Sequence, residues 1–136
     1  MSENVLGSVN VLFYEKEKPG MGKGSAGQLI LTNQRVVYVK YLWKHWHAIH
    51  KNYVANIDEG LKNEGSIAIP TGQIIEAKTE RTLGTPYLSI RYQTDAGEKT
   101  CSFIFSGGSL DSAGVLISKG PIEALAKTIE NLKTKQ

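Results

Sequence analysis

Residues 27–39, Gly-Gln-Leu-Ile-Leu-Thr-Asn-Gln-Arg-Val-Val-Tyr-Val, read as two β-strands joined by a tight turn, and no other stretch restricts the fold so strongly. Leu29 and Leu31 alternate with Gln28, Ile30 and Thr32, and Val37, Val39 and Tyr41 alternate with Val36, Tyr38 and Lys40. A period of two is the mark of half-buried antiparallel strands, so each strand is expected to show one face to a core and one to water. Asn33-Gln34 breaks the pattern with a turn-prone asparagine and no glycine. An isolated strand pair is only marginally stable in water, so the pair has to belong to a larger sheet.

The neighbouring sequence supplies that sheet. Residues 5–14 are rich in β-branched and aromatic types, with Val9, Val11 and Phe13 on one face, and form a first strand. Residues 15–27 carry Pro19 and several glycines and read as a flexible loop. Tyr53, Ile57 and Leu61 recur at a spacing of four and Gly65 follows, which predicts a short helix near 53–63. Ser66-Ile67-Ala68-Ile69 is a brief strand closed by Pro70, which has no amide for a ladder, and Thr71-Gly72 turns the chain. Three strands follow at 73–81, 87–94 and 99–105; Leu88, Ile90 and Tyr92 share a face, as do Cys101, Phe103 and Phe105. Asp95-Ala96-Gly97-Glu98 is a hairpin connection whose glycine can take a positive φ. After a Gly/Ser-rich stretch at 106–114, Ile122, Leu125, Ala126, Ile129 and Leu132 fall at helical spacing, with Pro121 at the first helical position. The expectation is a mainly β fold, about seven antiparallel strands in a meander sealed by a C-terminal amphipathic helix.

At 136 residues the chain fits a single domain, 1–136, able to bury a real core. Hydrophobic residues at 40% and charged residues at 21% argue against disorder and against a coiled coil. The longest apolar runs are only a few residues, far below the roughly 18 needed to cross a bilayer. The acidic start, Met-Ser-Glu-Asn, is unlike a signal peptide, so a cytoplasmic protein is expected. One cysteine allows no internal disulfide. The net charge of +3 is uneven: residues 1–51 hold seven Lys/Arg against three acids, and residues 52–136 hold nine against ten. The basic excess therefore belongs to the first three strands and the stretch after them, where it can attract an anionic partner or serve only as a solvated face.

The segment Gly27 to Tyr38, the later Ser66-Ile67-Ala68-Ile69-Pro70 with Ile74 and Ala77, and Leu88-Ser89-Ile90-Arg91-Tyr92 with its glycine hairpin together resemble the GRAM and bacterial pleckstrin-homology-like domains. In that group a strand reading G-x-L-x-L-T-N-x-R precedes an I-P strand, a hairpin and a capping helix. The resemblance spans roughly residues 5–134 and implies a PH-like split barrel. Two departures stand out. Phosphoinositide-binding members carry basic residues across the first loop and the second strand; here Lys16, Lys18 and Lys23 occupy the loop, but Gln28 to Thr32 hold none. A tryptophan common near the start of the terminal helix is replaced by Pro121-Ile122.

Several constellations invite chemistry and fail a context test. Gly22 to Gly27 spells G-x-G-x-x-G, but a strand follows it where the dinucleotide fingerprint requires a helix. His45, His47 and His50 are close together without an interleaved carboxylate or cysteine, so no metal and no cofactor is expected. Trp43 and Trp46 sit among basic and titratable residues, a composition suited either to a membrane interface or to filling the mouth of the barrel. Cys101 shares its face with two phenylalanines and reads as a small buried apolar residue. Ser106 to Ser109 with Asp111 lacks a nucleophile elbow, and Asp58-Glu59 point apart on a helix.

No catalytic set emerges, so the expected function is a non-catalytic binding module, an adaptor at an anionic membrane surface or on a protein partner. Lys16, Lys18, Lys23, Lys40, Lys44, Trp43 and Trp46 are its candidate ligand-binding or membrane-binding residues. The alternative is a small nucleic-acid-binding barrel using the basic N-terminal half, which the few lysines and modest charge do not favour.

Overall fold

The structure is a computed structural model that describes residues 3–15, 24–41, 53–82, 85–105 and 119–133. Its strands are β1 (Val5–Tyr14), β2 (Ser25–Thr32), β3 (Arg35–Lys40), β4 (Ile67–Pro70), β5 (Ile74–Thr82), β6 (Thr85–Thr94) and β7 (Gly97–Phe105). Helix α1 (Ile57–Gly60) precedes β4, a 3-10 turn over Thr71–Gln73 joins β4 to β5, and helix α2 (Lys119–Lys133) follows β7.

All seven strands lie in one antiparallel sheet ordered β4-β3-β2-β1-β7-β6-β5. The chain makes two meanders, and β7 returns to pair with β1 through Val11↔Phe105 and Phe13↔Phe103. The edges, β4 and β5, are consecutive in sequence and joined by a turn of three residues. Four Cα steps reach at most about 14 Å, whereas the outer strands of a flat seven-stranded sheet would stand about 29 Å apart. The sheet therefore has to curl, and its concave side becomes the core.

That core takes the inward row of each strand: Val11 and Phe13, Leu29 and Leu31, Val36 and Tyr38, Ile69, Ala77, Leu88 and Ile90, and Cys101, Phe103 and Phe105. Phe13 stacks on Tyr38 with ring centroids 4.5 Å apart, and both lie against Phe103. Helix α2 closes the gap beside β5 and β6 by inserting Ile122, Ala126 and Ile129, with Leu125 and Leu132 partly buried. The helix starts at Lys119, ahead of the expected Pro121, which still falls in the first turn where an amide has no intrahelical acceptor.

Two expectations change. Strands β2 and β3 are buried on both faces: Ile30, Val37, Val39 and Tyr41 on the convex side pack with Tyr53 and Ile57 into a second cluster, flanked by Val54 and Leu61. The apolar identity of Ile30, on the side of β2 assigned to water by strict alternation, is the trace of this covering, and on β3 the main core takes Val36 and Tyr38 while the row Val37, Val39 and Tyr41 faces the convex cluster. The helix expected over 53–63 shrinks to Ile57–Gly60, because Tyr53, Ile57 and Leu61 act as pegs into the sheet rather than as one face of a longer helix. Gly65 takes φ +95° and Gly97 φ +115°, as a stop and a hairpin require.

The turn at Asn33-Gln34 works without glycine because Thr32 organises it. Its buried hydroxyl accepts from the amides of Gln34 and Arg35, both at 3.0 Å, and donates to the Glu3 carboxylate at 2.8 Å. Asn33 donates its amide to the Asn4 carbonyl and accepts the Asn4 amide on Oδ1. Arg35 binds Glu3 at 2.7 Å and Asp58 at 3.2 Å, so the sequence Thr-Asn-x-Arg ties the N-terminal residues and α1 to one corner.

Candidate functional site

One end of the curled sheet collects the termini of several inward rows. On β3, Val36 and Tyr38 point into the core and Lys40 is next on the same side; on β7, Phe105, Phe103 and Cys101 lead to Lys99. Strand β1 contributes Glu15 after Val11 and Phe13, and β6 contributes Tyr92 opposite Lys99. A core row that runs out into lysine places charge at the mouth of the barrel while keeping the stem against apolar walls. Lys40 is half-buried and its stem lies across Gly65, where an added Cβ would come within 2.7 Å of it. Lys99 is exposed, and neither lysine forms an ion pair with a described residue.

Glu15 supplies the opposite sign. Burial pushes the Tyr92 hydroxyl up from its ordinary pKa, and the nearby Cys101 and Glu15 reinforce the shift. Burial likewise pushes the Cys101 thiol to about 12, with Glu15 adding to it. Cys101 is thus a neutral core side chain, with neither the exposure nor the electropositive setting that activates a thiol.

Of the seven sequence candidates, only Lys40 falls among the described residues; Lys16, Lys18, Lys23, Trp43, Lys44 and Trp46 lie outside them, as do the three histidines and the 106–114 stretch. The residues that bracket the two candidate segments are described and converge. Before and after 16–23, the Tyr14 ring lies over Gly24, whose added Cβ would meet it at 2.7 Å. Before and after 42–52, Tyr41 and Tyr53 are both buried in the convex cluster. The Tyr41 amide donates to the Ala26 carbonyl at 3.1 Å, which joins the second bracket to the first. Tyr41 also donates its hydroxyl to Asn10 Oδ1 at 2.6 Å; burial, with Tyr53 nearby, pushes its pKa to about 12. The Tyr53 amide donates to Gln28 Oε1 at 2.9 Å, and Gln28 Nε2 donates to Ser8 Oγ at 2.7 Å. Gln28, a buried polar residue just ahead of the apolar run Leu29 to Leu31, holds the far end of the 42–52 connection at Tyr53.

Lys99 is the site residue that sequence reasoning missed. Its signal was present in the alternation Lys99-Cys101-Phe103-Phe105, which puts the lysine on the core side of β7. Elsewhere, the convex face of β5 to β7 carries a mixed chain of exposed ion pairs, in which Lys78 meets Glu76 and Glu80, and Arg91 meets Glu76 and Glu98. Alternating signs there leave no strong attraction for an anion. Beside it, Gln73, Gln93, Thr94 and Asp95 line a shallow polar depression. Among the described residues no helix is long and apolar enough to cross a membrane.

No family model matches the sequence, and no curated protein matches it. The fold itself has solved counterparts. The chain is similar to the Vps36 N-terminal PH domain at 14% identity and TM-score 0.56, covering 97% of this chain and 83% of that one. It is also similar to the hSac2 domain from the human phosphoinositide phosphatase Sac2 at 10% identity and TM-score 0.58, covering 98% of this chain and 71% of that one. At such identities the likeness is one of architecture, and the architecture is PH-like.

Proposed function

We propose that this chain is a non-catalytic PH-like binding module that meets an anionic membrane surface with the end of its barrel. The observation that carries the reading is the meeting of the brackets of the two candidate segments, where the Tyr41 amide, next to Lys40, donates to the carbonyl of Ala26, two residues beyond Gly24 and the Tyr14 ring that covers it. The chain bracketed there contains Lys16, Lys18, Lys23, Lys44, Trp43 and Trp46. Lysines near an anionic leaflet gain about 1 kcal/mol each, and indoles are accommodated at the headgroup level. The architecture shared with a PH domain and with a domain of a phosphoinositide phosphatase supports the same class of surface. Gln28 to Thr32 lack the basic residues for a tight headgroup grip, and Glu15 stands at the mouth, so binding is weak, delocalised and salt-sensitive.

Co-sedimentation with vesicles of phosphatidylcholine alone, or with added phosphatidylserine or phosphoinositide, tests this. Recovery with anionic vesicles at low salt, lost at high salt, is expected. Replacing Lys16, Lys18 and Lys23 with alanine removes up to about 3 kcal/mol, roughly a hundredfold in affinity. Equal recovery with neutral and anionic vesicles at low salt rules the reading out in favour of a protein partner.

A further inference from the structure

We propose that the last turn of α2 is a detachable cover on the open edge of β5, and that β5, once uncovered, pairs antiparallel with β5 of a second copy of this chain. An edge strand presents unpaired amides and carbonyls to any passing strand. Here two of them are taken by side chains: Glu130 Oε2 accepts the Ala77 amide at 2.6 Å, and the Lys133 ammonium donates to the Ile75 carbonyl. Glu130 and Lys133 are themselves paired at 3.1 Å, one helical turn apart. An acceptor and a donor thus occupy the places that the carbonyl and amide of an eighth strand would fill.

The cover is short. In an antiparallel ladder the outward-facing groups recur every second residue, so the Thr79 amide and carbonyl face the same open side as those of Ala77. The side chains of Glu130 and Lys133 reach Ala77 and Ile75, and among the described residues the Thr79 hydroxyl is buried without a hydrogen-bond partner. The cover lies beyond the deepest anchors of α2, Ile122, Ala126 and Ile129, and shares its turn only with the partly buried Leu132.

Charge selects the second copy as occupant. The convex row of β5 reads Glu76, Lys78, Glu80. A two-fold axis at Thr79 puts Lys78 opposite Glu80 of the second copy, and Glu80 opposite its Lys78, while keeping outward-facing residues paired with outward-facing residues. A two-fold at Lys78 would also pair outward-facing Ala77 with Thr79, but it opposes Glu76 with Glu80 and Lys78 with its own copy, so it fails on charge. The present Lys78 contacts, 3.1 Å to Glu80 and 4.0 Å to Glu76, are solvent-exposed and exchange for intermolecular ones at little cost.

Light scattering on the full chain, from micromolar to millimolar concentration, tests the proposal on wild type, Glu130→Ala/Lys133→Ala, the same with Lys78→Glu, and the same with Lys78→Glu/Glu80→Lys. Wild type is expected at the 14.9 kDa of one chain and the uncovered variant at twice that mass at high concentration. Lys78→Glu should return the mass to one chain, and the charge swap should restore two. A folded uncovered variant that stays at one chain overturns the proposal; so does a dimer indifferent to Lys78→Glu, a mixed aggregate, or a wild type that already associates equally. Should the double variant lose its circular dichroism, Glu130→Leu/Lys133→Met, which removes both side-chain hydrogen bonds and keeps the aliphatic stems, is read by the same criteria.

Discussion

Replacing Gly27 with alanine is a severe test of the packing. The added Cβ would sit 2.3 Å from the Val39 carbonyl oxygen and 2.4 Å from a Tyr38 ring carbon. One neighbour is backbone within the β2–β3 ladder, and the other is a ring with no room to swing. Tyr38 stacks on Phe13 at 4.5 Å, donates its hydroxyl to the Ser25 carbonyl at 2.7 Å, and is fully buried. Displacing the ring forfeits about 0.5–1.5 kcal/mol of stacking and a similar amount of hydrogen bonding, and overpacking a core costs about 1–3 kcal/mol. These describe one displacement and overlap, so the net loss is about 2–4 kcal/mol, reduced by at most about 1 kcal/mol from the stiffer unfolded chain. Urea unfolding followed by circular dichroism should show the midpoint falling at unchanged slope. Gly7→Ala is the control: nothing lies within 4 Å of its added Cβ and its φ is not positive. It should be neutral or stabilising by up to about 1 kcal/mol. If Gly27→Ala stays within about 0.5 kcal/mol of wild type, the ordinary range for surface changes, the close approach of β2 to Tyr38 is refuted.

Arg35→Met should cost about 1–2 kcal/mol at neutral pH, a charge-assisted bond discounted for partial exposure. The Arg35 guanidinium holds the Glu3 carboxyl below its ordinary value of 4.5. Its contribution is therefore present above 4.5 and lost as pH falls through the lower folded value, so the variant should lose that acid-side decline. Identical pH–stability curves for variant and wild type would refute the assignment. Cys101, 1% exposed with its thiol pushed to about 12, should resist iodoacetamide at pH 8 while folded and react readily in denaturant; equal rates would count against its place in the core.

Fold and site were unequally legible. The strand pair β2–β3, the shared faces of β6 and β7, the Pro70 stop, the Gly97 hairpin and the five aliphatics of α2 all appear in the structure because each is a local rule with one dominant cause. The convex cluster escaped because alternation assigns one face to water, and Tyr53 and Ile57, arriving from farther along the chain, reverse that. The same long-range packing shortened the expected helix to α1, since pegs at a spacing of four serve a covering loop as well as a helical face. Thr32, Asn33 and Arg35, which carried the family resemblance, hold the N-terminal residues and a corner of the sheet. They are structural, which is why they announce an architecture and stay silent on a ligand. Lys99 was hidden because it reads as a hairpin lysine until its register with Tyr92 is known.

The hairpin of β2 and β3 is walled in by β1 and β4 at its sides and by apolar layers above and below. Its amides should be the last to exchange with deuterium, opening only when the whole molecule does. Mutation has little freedom within such a keel. Descendants of this chain that acquire new specificity are expected to differ between Tyr14 and Gly24 or between Tyr41 and Tyr53, where sequence can change without disturbing the hull.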